Sequence, residues 1–435
     1  MTNDEARMTN DERSSNAQMT KQRSRRASRH SDFVIPSSFG ICHSSLRSGV
    51  ITTDARLVEL VHKINAAERV AIDTEADSLH SYREKLCLLQ ISTPAVAGIV
   101  DAGGERPELE KHGDHPPSPG DYGVTSRSRL QDDFIVDPLN NLDLEPLRRA
   151  LEPREIVLHA ADYDLRMLRR GLNFTATKVF DTVIAARLLG IREFSLGALV
   201  KRFFGVELHK HSQKANWGVR PLPPRMLDYA VDDVHYLLPL AAMLEQDLER
   251  VQRGDWFRQS CERAIALAAV GRERTQDELW RIAGAGTLDP HTGAVLRALW
   301  QWRETEAEMA DRPPFHILQN HELLNAAGNF TSGRVPDYKH FSARRRQTFR
   351  EAAKAALQSP QSEWPVMRRR SGPRPTPEMR RRADQLRERR DRSAGQLGLE
   401  SSFIASRGAL EAIAADPTRA AALLVPWQRE MLGID

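Results

Sequence analysis

The chain has 435 residues, 40% of them hydrophobic, with 63 Lys and Arg against 59 Asp and Glu. That length exceeds what one ordinary hydrophobic core serves, so two or three domains are expected. No apolar run reaches about eighteen residues, which argues against a transmembrane helix. The N-terminus lacks the apolar centre of a signal peptide, and the three scattered cysteines lack metal-binding spacing, so a cytoplasmic, reducing setting is expected.

The first 50 residues are rich in Ser, Arg, Asn and Thr, and this composition predicts a disordered basic and polar tail. From residue 51 the pattern changes. A helical period covers 54–67, and strand-length apolar runs follow at 69–75, 86–92 and 95–101, which predict a three-stranded meander. Residues 103–132 are rich in Pro, Gly and charge, and predict a surface insertion.

After the insertion, strand and helix patterns alternate. Strands are predicted at 134–137, 155–159 and 179–180, and helices at 144–151, 165–170, 182–189, 196–204 and 225–250. Pro239 should kink the last helix, because proline removes a backbone donor and clashes with the preceding turn. The alternation predicts an α/β domain over about 51–262.

The remainder is helical. Residues 275–358 predict a small all-α unit, 359–377 a Pro/Arg-rich linker, and 378–435 a second, shorter helical module. Between 368 and 392, eleven Arg stand against four acids. This excess indicates either a phosphate-binding surface or a solvated Arg-rich helix face.

Two carboxylates end the strand predicted at 69–75 (RVAIDTE). Side chains alternate along a strand, so Asp73 and Glu75 point to the same side. At about 4 Å, two such charges repel by about 4 kcal/mol at an effective dielectric of 20, and a bound cation would reverse the sign. The pair therefore indicates a cation site if further acids reach the same place.

Two helices supply those acids. Asp164 opens the helix after the strand at 155–159, where a carboxylate also serves as a structural cap. Tyr229 and Asp233 lie four residues apart on one helix, and therefore on one face. Carboxylate oxygens are the ligands that Mg²⁺ and Mn²⁺ prefer. His159 ends a buried strand and is interpreted as a packed core histidine rather than a ligand.

The order DTE, HAADYD, YAVDD resembles the three exonuclease motifs of the DEDD superfamily, in its tyrosine-containing branch. The stretch 194–240 resembles the ribonuclease D family. Residues 298–327 resemble the helicase-and-ribonuclease-D C-terminal (HRDC) domain. Residues 398–414 and 427–433 resemble the second such module of some ribonucleases D. The resemblance implies a ribonuclease H-like, mixed-sheet exonuclease domain of the α/β class, followed by one or two all-α HRDC domains.

The resemblance also implies roles for the site residues. Carried over by position, the metal ligands are Asp73, Glu75, Asp164 and Asp233. Tyr229 would orient the nucleophilic water. Two divalent ions, Mg²⁺ or Mn²⁺, are implied: one held by Asp73, Glu75 and Asp233, the other by Asp73 and Asp164. The neighbouring Asp162 and Asp232 are set aside because the HxxxxD and YxxxD spacings select the other acids.

The implied activity is that of a 3′→5′ exoribonuclease that releases nucleoside 5′-monophosphates from single-stranded RNA 3′ ends, with transfer RNA precursors as the implied substrate and a monomer as the default state. Lys210, Lys214 and Arg220 are candidates for phosphate contacts, with a solvated loop as the alternative. Two other functions stay open. One is a Werner-type DNA exonuclease with the same motifs, and the other is a non-catalytic RNA-binding protein that kept the fold.

Overall fold

The computed structural model describes residues 49–95, 131–208, 212–270, 275–367 and 375–434. All of the predicted N-terminal tail but residues 49 and 50, all of the strand predicted at 95–101 but residue 95, most of the insertion at 103–132, and Lys210 lie outside these residues. Among the described residues, no helix combines the length and the apolar character that crossing a bilayer requires.

A five-stranded mixed sheet forms the centre of the N-terminal domain. Its strands are β1 (Arg69–Ala76), β2 (Leu86–Pro94), β3 (Gln131–Val136), β4 (Glu155–Leu158) and β5 (Lys178–Asp181). Their order across the sheet is β3-β2-β1-β4-β5. β1, β4 and β5 run parallel, and β2 is antiparallel to both of its neighbours. The predicted mixed sheet is confirmed, and the third strand of the meander is β3.

Eight helices surround this sheet. They are α1 (Asp54–Ala66), α2 (Glu145–Leu151), α3 (Asp162–Leu172), α4 (Thr182–Leu188), α5 (Leu196–Phe204), α6 (Pro224–His235), α7 (Leu237–Arg250) and α8 (Gly254–Ala269). Ser195 caps α5 as predicted, since its Oγ accepts a hydrogen bond from the amide of Ala198.

Strand alternation divides the apolar residues of β1 between two cores. Val70 and Ile72 point to the side where α1, α2 and α3 pack. Ala71 points to the opposite side, where α4 and α7 pack. Because Asp73 and Glu75 continue the alternation of Ala71, they emerge on the α6 and α7 side of the sheet.

The helix predicted over 225–250 is divided into α6 and α7 at Tyr236, three residues before Pro239. Proline has no amide hydrogen, so the carbonyl of His235 loses its helical partner, and the pyrrolidine ring crowds that carbonyl. The side-chain amide of Gln131, at the start of β3, donates to the His235 carbonyl instead. The carbonyl that the helix break leaves free is therefore hydrogen-bonded by a residue of the sheet.

The first all-α unit comprises α9 (Gln276–Leu279), α10 (Pro290–Met309), α11 (Pro314–Ile317), α12 (Asn320–Thr331) and α13 (Ala343–Leu357). Its core is built around Trp302, whose indole nitrogen donates to the Thr348 hydroxyl at 3.0 Å. Short 3₁₀ turns lie at Pro138–Asn140, Ala285–Thr287, Gln361–Glu363 and Pro417–Arg419.

The last helices are α14 (Pro377–Leu397), α15 (Ser401–Ile404), α16 (Arg407–Ala415), α17 (Ala420–Leu423) and α18 (Pro426–Leu432). They share one apolar cluster with α4, α5, α7 and α8 of the N-terminal domain. The Trp427 ring stacks on Trp256 of α8, with centroids 5.1 Å apart. The C-terminal module therefore packs against the helices of the sheet domain through a shared apolar core.

Candidate active site

Three carboxylates meet at the carboxyl end of β1. One oxygen from each of Asp73, Glu75 and Asp233 lies within 4.8 Å of the others. β1 delivers the first two from successive positions on one face, and α6 delivers the third from above that face. In open α/β sheets this end of the strands is where ligands bind.

Asp164 approaches these acids from α3, and its charge raises the pKa of Asp73 and Glu75. It lies in the first turn of α3, and it is buried. Its Oδ1 accepts hydrogen bonds from the Thr74 hydroxyl, at 2.5 Å, and from the Thr74 amide, at 3.2 Å. Since Thr74 stands between Asp73 and Glu75 and points the other way, the strand itself orients Asp164.

A second buried acid, Asp181, holds the turn that begins α3. Its carboxylate accepts hydrogen bonds from the amides of Ala160 and Ala161, at 3.2 and 2.9 Å, and from Val183 and Ile184 at the start of α4. Ala160 has a φ of 62°, a conformation that costs a non-glycine residue about 1–3 kcal/mol. Asp181 therefore helps fix the position from which Asp164 projects.

Tyr229 lies one turn before Asp233 on α6, and its hydroxyl, as a hydrogen-bond donor, opposes the rise in the pKa of the Asp233 carboxyl. The ring of Trp217, from the loop that precedes α6, lies 6.1 Å from the Tyr229 ring, centroid to centroid. The phenol is held on the side of the helix that faces the acids.

The acids are electrostatically unfavourable by themselves. Burial and the charges of Asp233 and Asp164 raise the pKa of Glu75 to about 9. Burial raises the pKa of Asp73 well above its usual value, with the charges of Asp164, Asp233 and Glu75 adding to it. Burial raises the pKa of Asp233 to about 7 although the Tyr229 hydrogen bond opposes it, and raises that of Asp164 to about 6 although Thr74 opposes it.

These acids form a donor set of clustered carboxylate oxygens. Hard oxygen ligands of this kind suit Mg²⁺ or Mn²⁺, and a divalent cation removes the repulsion that raises the pKa values. The residues present therefore fit a divalent metal ion. The structure clusters Asp73, Glu75 and Asp233 beside Tyr229. Asp164 is near enough to raise the pKa of Asp73 and Glu75, but it is not one of the three acids whose oxygens lie within 4.8 Å of one another. The assignment of these residues as ligands and catalytic groups stays a prediction.

Asp162, one of the acids that were set aside, is exposed. Its carboxylate pairs with Arg166 one turn later in α3, at 2.6 Å.

His159 follows the end of β4. Burial lowers the pKa of His159 to about 4, and the Nδ1 of this ring lies 2.8 Å from the Thr182 hydroxyl. A neutral, hydrogen-bonded ring agrees with its interpretation as a packed histidine.

The candidate phosphate contacts differ from one another. Lys214 is exposed, on the loop before α6. The Arg220 guanidinium instead pairs with both oxygens of Asp137, at 2.5 and 2.6 Å. It also donates to the carbonyls of Cys87, Trp217 and Val219. These bonds favour a structural role for Arg220, while its contact with phosphate stays a prediction.

Sequence reasoning assigned no role to Thr74, Asp181 and Gln90, which lie around the acids. Thr74 had one available signal, its place inside the DTE triplet. Asp181 ends a short strand directly before a helix, a position typical of an N-cap, but its bonds to Ala160 and Ala161 depend on tertiary structure.

Two family models match the chain. Residues 49–108 and 122–249 match a family model described as 3′-5′ exonuclease, and residues 292–329 match the HRDC domain. The chain thus carries a 3′-5′ exonuclease domain followed by an HRDC domain, as the sequence motifs predict.

The relatives then specify the family. Ribonuclease D of Pseudomonas paraeruginosa is 30% identical over 317 residues, which cover 69% of this chain and 82% of that protein. Ribonuclease D of Sphingobium indicum is 30% identical over 284 residues, which cover 64% of each chain, slightly less than two thirds. The chain belongs to the ribonuclease D family.

A solved structure agrees on the fold. The crystal structure of Escherichia coli RNase D aligns with a TM-score of 0.61 and 21% identity, covering 88% of this chain and 96% of that one. The predicted fold, a mixed-sheet exonuclease domain with an HRDC domain, is confirmed.

Proposed function

We propose that the chain is a metal-dependent 3′→5′ exoribonuclease that releases nucleoside 5′-monophosphates from single-stranded RNA 3′ ends. The observation that carries the proposal is the meeting of three acids, from β1 and α6, beside a phenol at one end of the sheet, with Asp164 of α3 near enough to raise their pKa values. A protein that only bound RNA would have no reason to carry this repulsion. The acids therefore favour an enzyme over a non-catalytic adaptor.

Asp73, Glu75 and Asp233 would hold one divalent ion, and Asp73 with Asp164 a second. Bound there, such ions activate water and stabilise the leaving 3′-oxygen of a phosphodiester. Thr74 fixes the Asp164 carboxylate through two hydrogen bonds, so that acid needs little reorganisation. The Tyr229 hydroxyl, one turn from Asp233 on the same helix, would orient a water for in-line attack.

An RNA substrate is supported by the ribonuclease D relatives and by the HRDC domain appended to the nuclease. We extend the proposal to single-stranded 3′ ends, because the acids lie between the sheet and α6 and a paired terminus would have to open to reach them. We extend the proposal to transfer RNA precursors as substrates of a cytoplasmic monomer, as the family resemblance implies.

The test is digestion of matched 3′-labelled RNA and DNA by the full chain, with Mg²⁺ or with EDTA. Release of labelled nucleoside monophosphate from RNA with Mg²⁺, absent with EDTA and lost in Asp73→Ala, is the expected result. Faster release from DNA than from RNA would favour the Werner-type alternative. RNA binding without release under any metal would overturn the enzymatic proposal.

A further inference from the structure

A row of polar side chains continues from Asp73 across the sheet beneath α6. In the antiparallel ladder of β1 and β2, Gln90 stands directly opposite Asp73, and Ser92 opposite Ala71. In the next ladder, Asp133 of β3 stands opposite Ser92. Residues directly opposite one another share a face of the sheet. Gln90, Ser92 and Asp133 therefore lie on the Asp73 face.

These side chains are enclosed. Gln90 and Ser92 are completely buried. Both polar atoms of the Gln90 amide, the Ser92 hydroxyl and Oδ1 of Asp133 have no hydrogen-bond partner among the residues that the structure describes. The other oxygen of Asp133 lies 2.6 Å from Nδ1 of His235, at the end of α6.

Such a concentration of unpartnered polar atoms in a protein interior points to hydration. Buried polar groups almost always have a partner, and where protein supplies none, ordered internal water does. A strand buried on both faces, as β2 is, normally consists of apolar residues. Polar residues at 90 and 92 carry a cost in folding that a purely structural strand would avoid, so a role beside the acids is the better explanation.

The position of Gln90 in the sheet indicates which of the acids lies beside it. The pairing of β1 with β4 runs from Arg69 to Ala71, whereas its pairing with β2 continues through Asp73. Gln90 is thus the strand residue beside Asp73. α6 closes the same space from above, since Ala230 and Val231 pack on Leu88 and Ile135 of this face.

We propose that Gln90 is a positioning residue: its amide, with internal water shared by Ser92 and Asp133, fixes the Asp73 carboxylate and so sets the affinity of the acid cluster for a divalent cation. The inference rests on the proposed function, because it requires that the acids bind metal. Groups that orient a metal ligand typically change metal affinity by about 10–100-fold when they are removed.

The test measures metal binding separately from catalysis. The full-length protein is titrated calorimetrically with Mn²⁺ alone, as wild type and as Gln90→Met, which keeps the volume and removes the amide. Leu88→Met is the matched control, because Leu88 is also completely buried on this face, opposite Glu75. We expect Gln90→Met to bind Mn²⁺ about 10-fold more weakly or worse, and Leu88→Met to bind within about twofold of wild type.

Two further readouts separate positioning from packing. Without metal, Gln90→Met should unfold close to the wild-type temperature, because it keeps the side-chain volume and breaks no hydrogen bond to a described protein group. In RNA digestion its kcat should recover with excess Mg²⁺ while the KM for RNA stays unchanged. Ser92→Ala, a smaller change, should weaken Mn²⁺ binding in the same direction, and it serves as the test if Gln90→Met does not fold.

Wild-type Mn²⁺ affinity in Gln90→Met, or in Ser92→Ala where that variant serves as the test, would overturn the inference and leave the proposed function intact. Failure of the wild type itself to bind Mn²⁺ would instead overturn the proposed function, and the inference with it.

Discussion

The Tyr229 phenol lies one turn before Asp233 on the same face of α6, and its interaction with the Asp233 carboxylate opposes the rise in the pKa of that acid. Burial and the surrounding negative charge raise the pKa of Tyr229 above its usual value. Tyr229 therefore stays protonated at neutral pH. It is able to orient a water but not to act as a base.

Tyr229→Phe tests this role. We expect the rate of RNA digestion to fall by about 100-fold, the scale of a lost positioning or proton-transfer group, while Mn²⁺ binding and thermal stability stay close to wild type. Tyr338→Phe is the matched control, because its hydroxyl bonds to the Glu322 carbonyl in the HRDC domain. Equal activity of Tyr229→Phe and wild type would refute an active role for the phenol.

Asp162 and Asp164 form a natural pair of test and control on one helix. Asp164→Asn should lower kcat by about 10²–10³-fold, the scale of one lost electrostatic contact in a transition state. Asp162→Asn removes only an exposed pair with Arg166, and such pairs contribute about 0–1 kcal/mol. Initial rates at saturating RNA and Mg²⁺ decide the matter. A larger loss in Asp162→Asn would show that the wrong acid was assigned.

The pH dependence of stability without metal follows from the raised pKa values. Glu75 titrates at about 9 and Asp233 at about 7 in the folded chain, whereas unfolded carboxyls titrate near 4. Between about pH 4 and 9 the folded state binds more protons than the unfolded state, so the free energy of unfolding falls as pH rises through that window.

We therefore expect the melting temperature in EDTA to drop by about 5 °C or more from pH 5 to pH 9. Mn²⁺ should reduce the drop, because a bound cation stabilises the ionised acids. Glu75→Gln should also reduce it, and should gain less stability from Mn²⁺. Differential scanning calorimetry across the pH range provides the measurement, and a pH-independent wild type in EDTA would contradict the expectation.

The sequence allowed more of the candidate site to be predicted than of the contacts that surround it. Strand alternation placed Asp73 and Glu75 on one side, and helical spacing placed Tyr229 with Asp233, because both follow from local geometry. The family motifs supplied Asp164. Local geometry carries no information on Thr74 bonding to Asp164 or on Gln90 lying beside Asp73, because both depend on how separate segments pair.

The helix predicted over 225–250 shows the same limit. Pro239 signalled a kink, but the sequence did not show that the freed His235 carbonyl would find Gln131 of β3. The C-terminal module was predicted as a separate helical unit, whereas its apolar residues form one cluster with α4 and α7. Amphipathic periodicity identifies an apolar face but not the surface that covers it.

Arg220 and Lys214 lie on the same loop before α6, but we expect a structural role for Arg220 and a phosphate contact for Lys214. Arg220→Gln leaves Asp137 buried without its partner, so it should destabilise the fold by about 2–3 kcal/mol. Lys214→Gln should leave stability unchanged and reduce the slope of log K for RNA against log salt by about 0.7, the value of one phosphate contact with a single strand. Urea unfolding and RNA binding at several salt concentrations measure both. The reverse pattern would make Arg220 the phosphate contact.

Trp427 tests whether the C-terminal module is part of the exonuclease core. Its ring stacks on Trp256, its indole nitrogen donates to the Ser260 hydroxyl, and its amide donates to the Gln259 side chain. Trp427→Ala should cost about 3–5 kcal/mol, as large-to-small changes at buried aromatic residues do. Because the module and α8 share one cluster, the loss should lower the unfolding midpoint of the whole exonuclease domain. Trp427→Phe, which keeps the stacking, should lose less. The contrary result has two parts. Trp427→Ala would show a separate unfolding transition at a lower temperature, and its RNA digestion would be inactivated by heat at the same midpoint as in the wild type. The module would then be an independent domain docked on the nuclease.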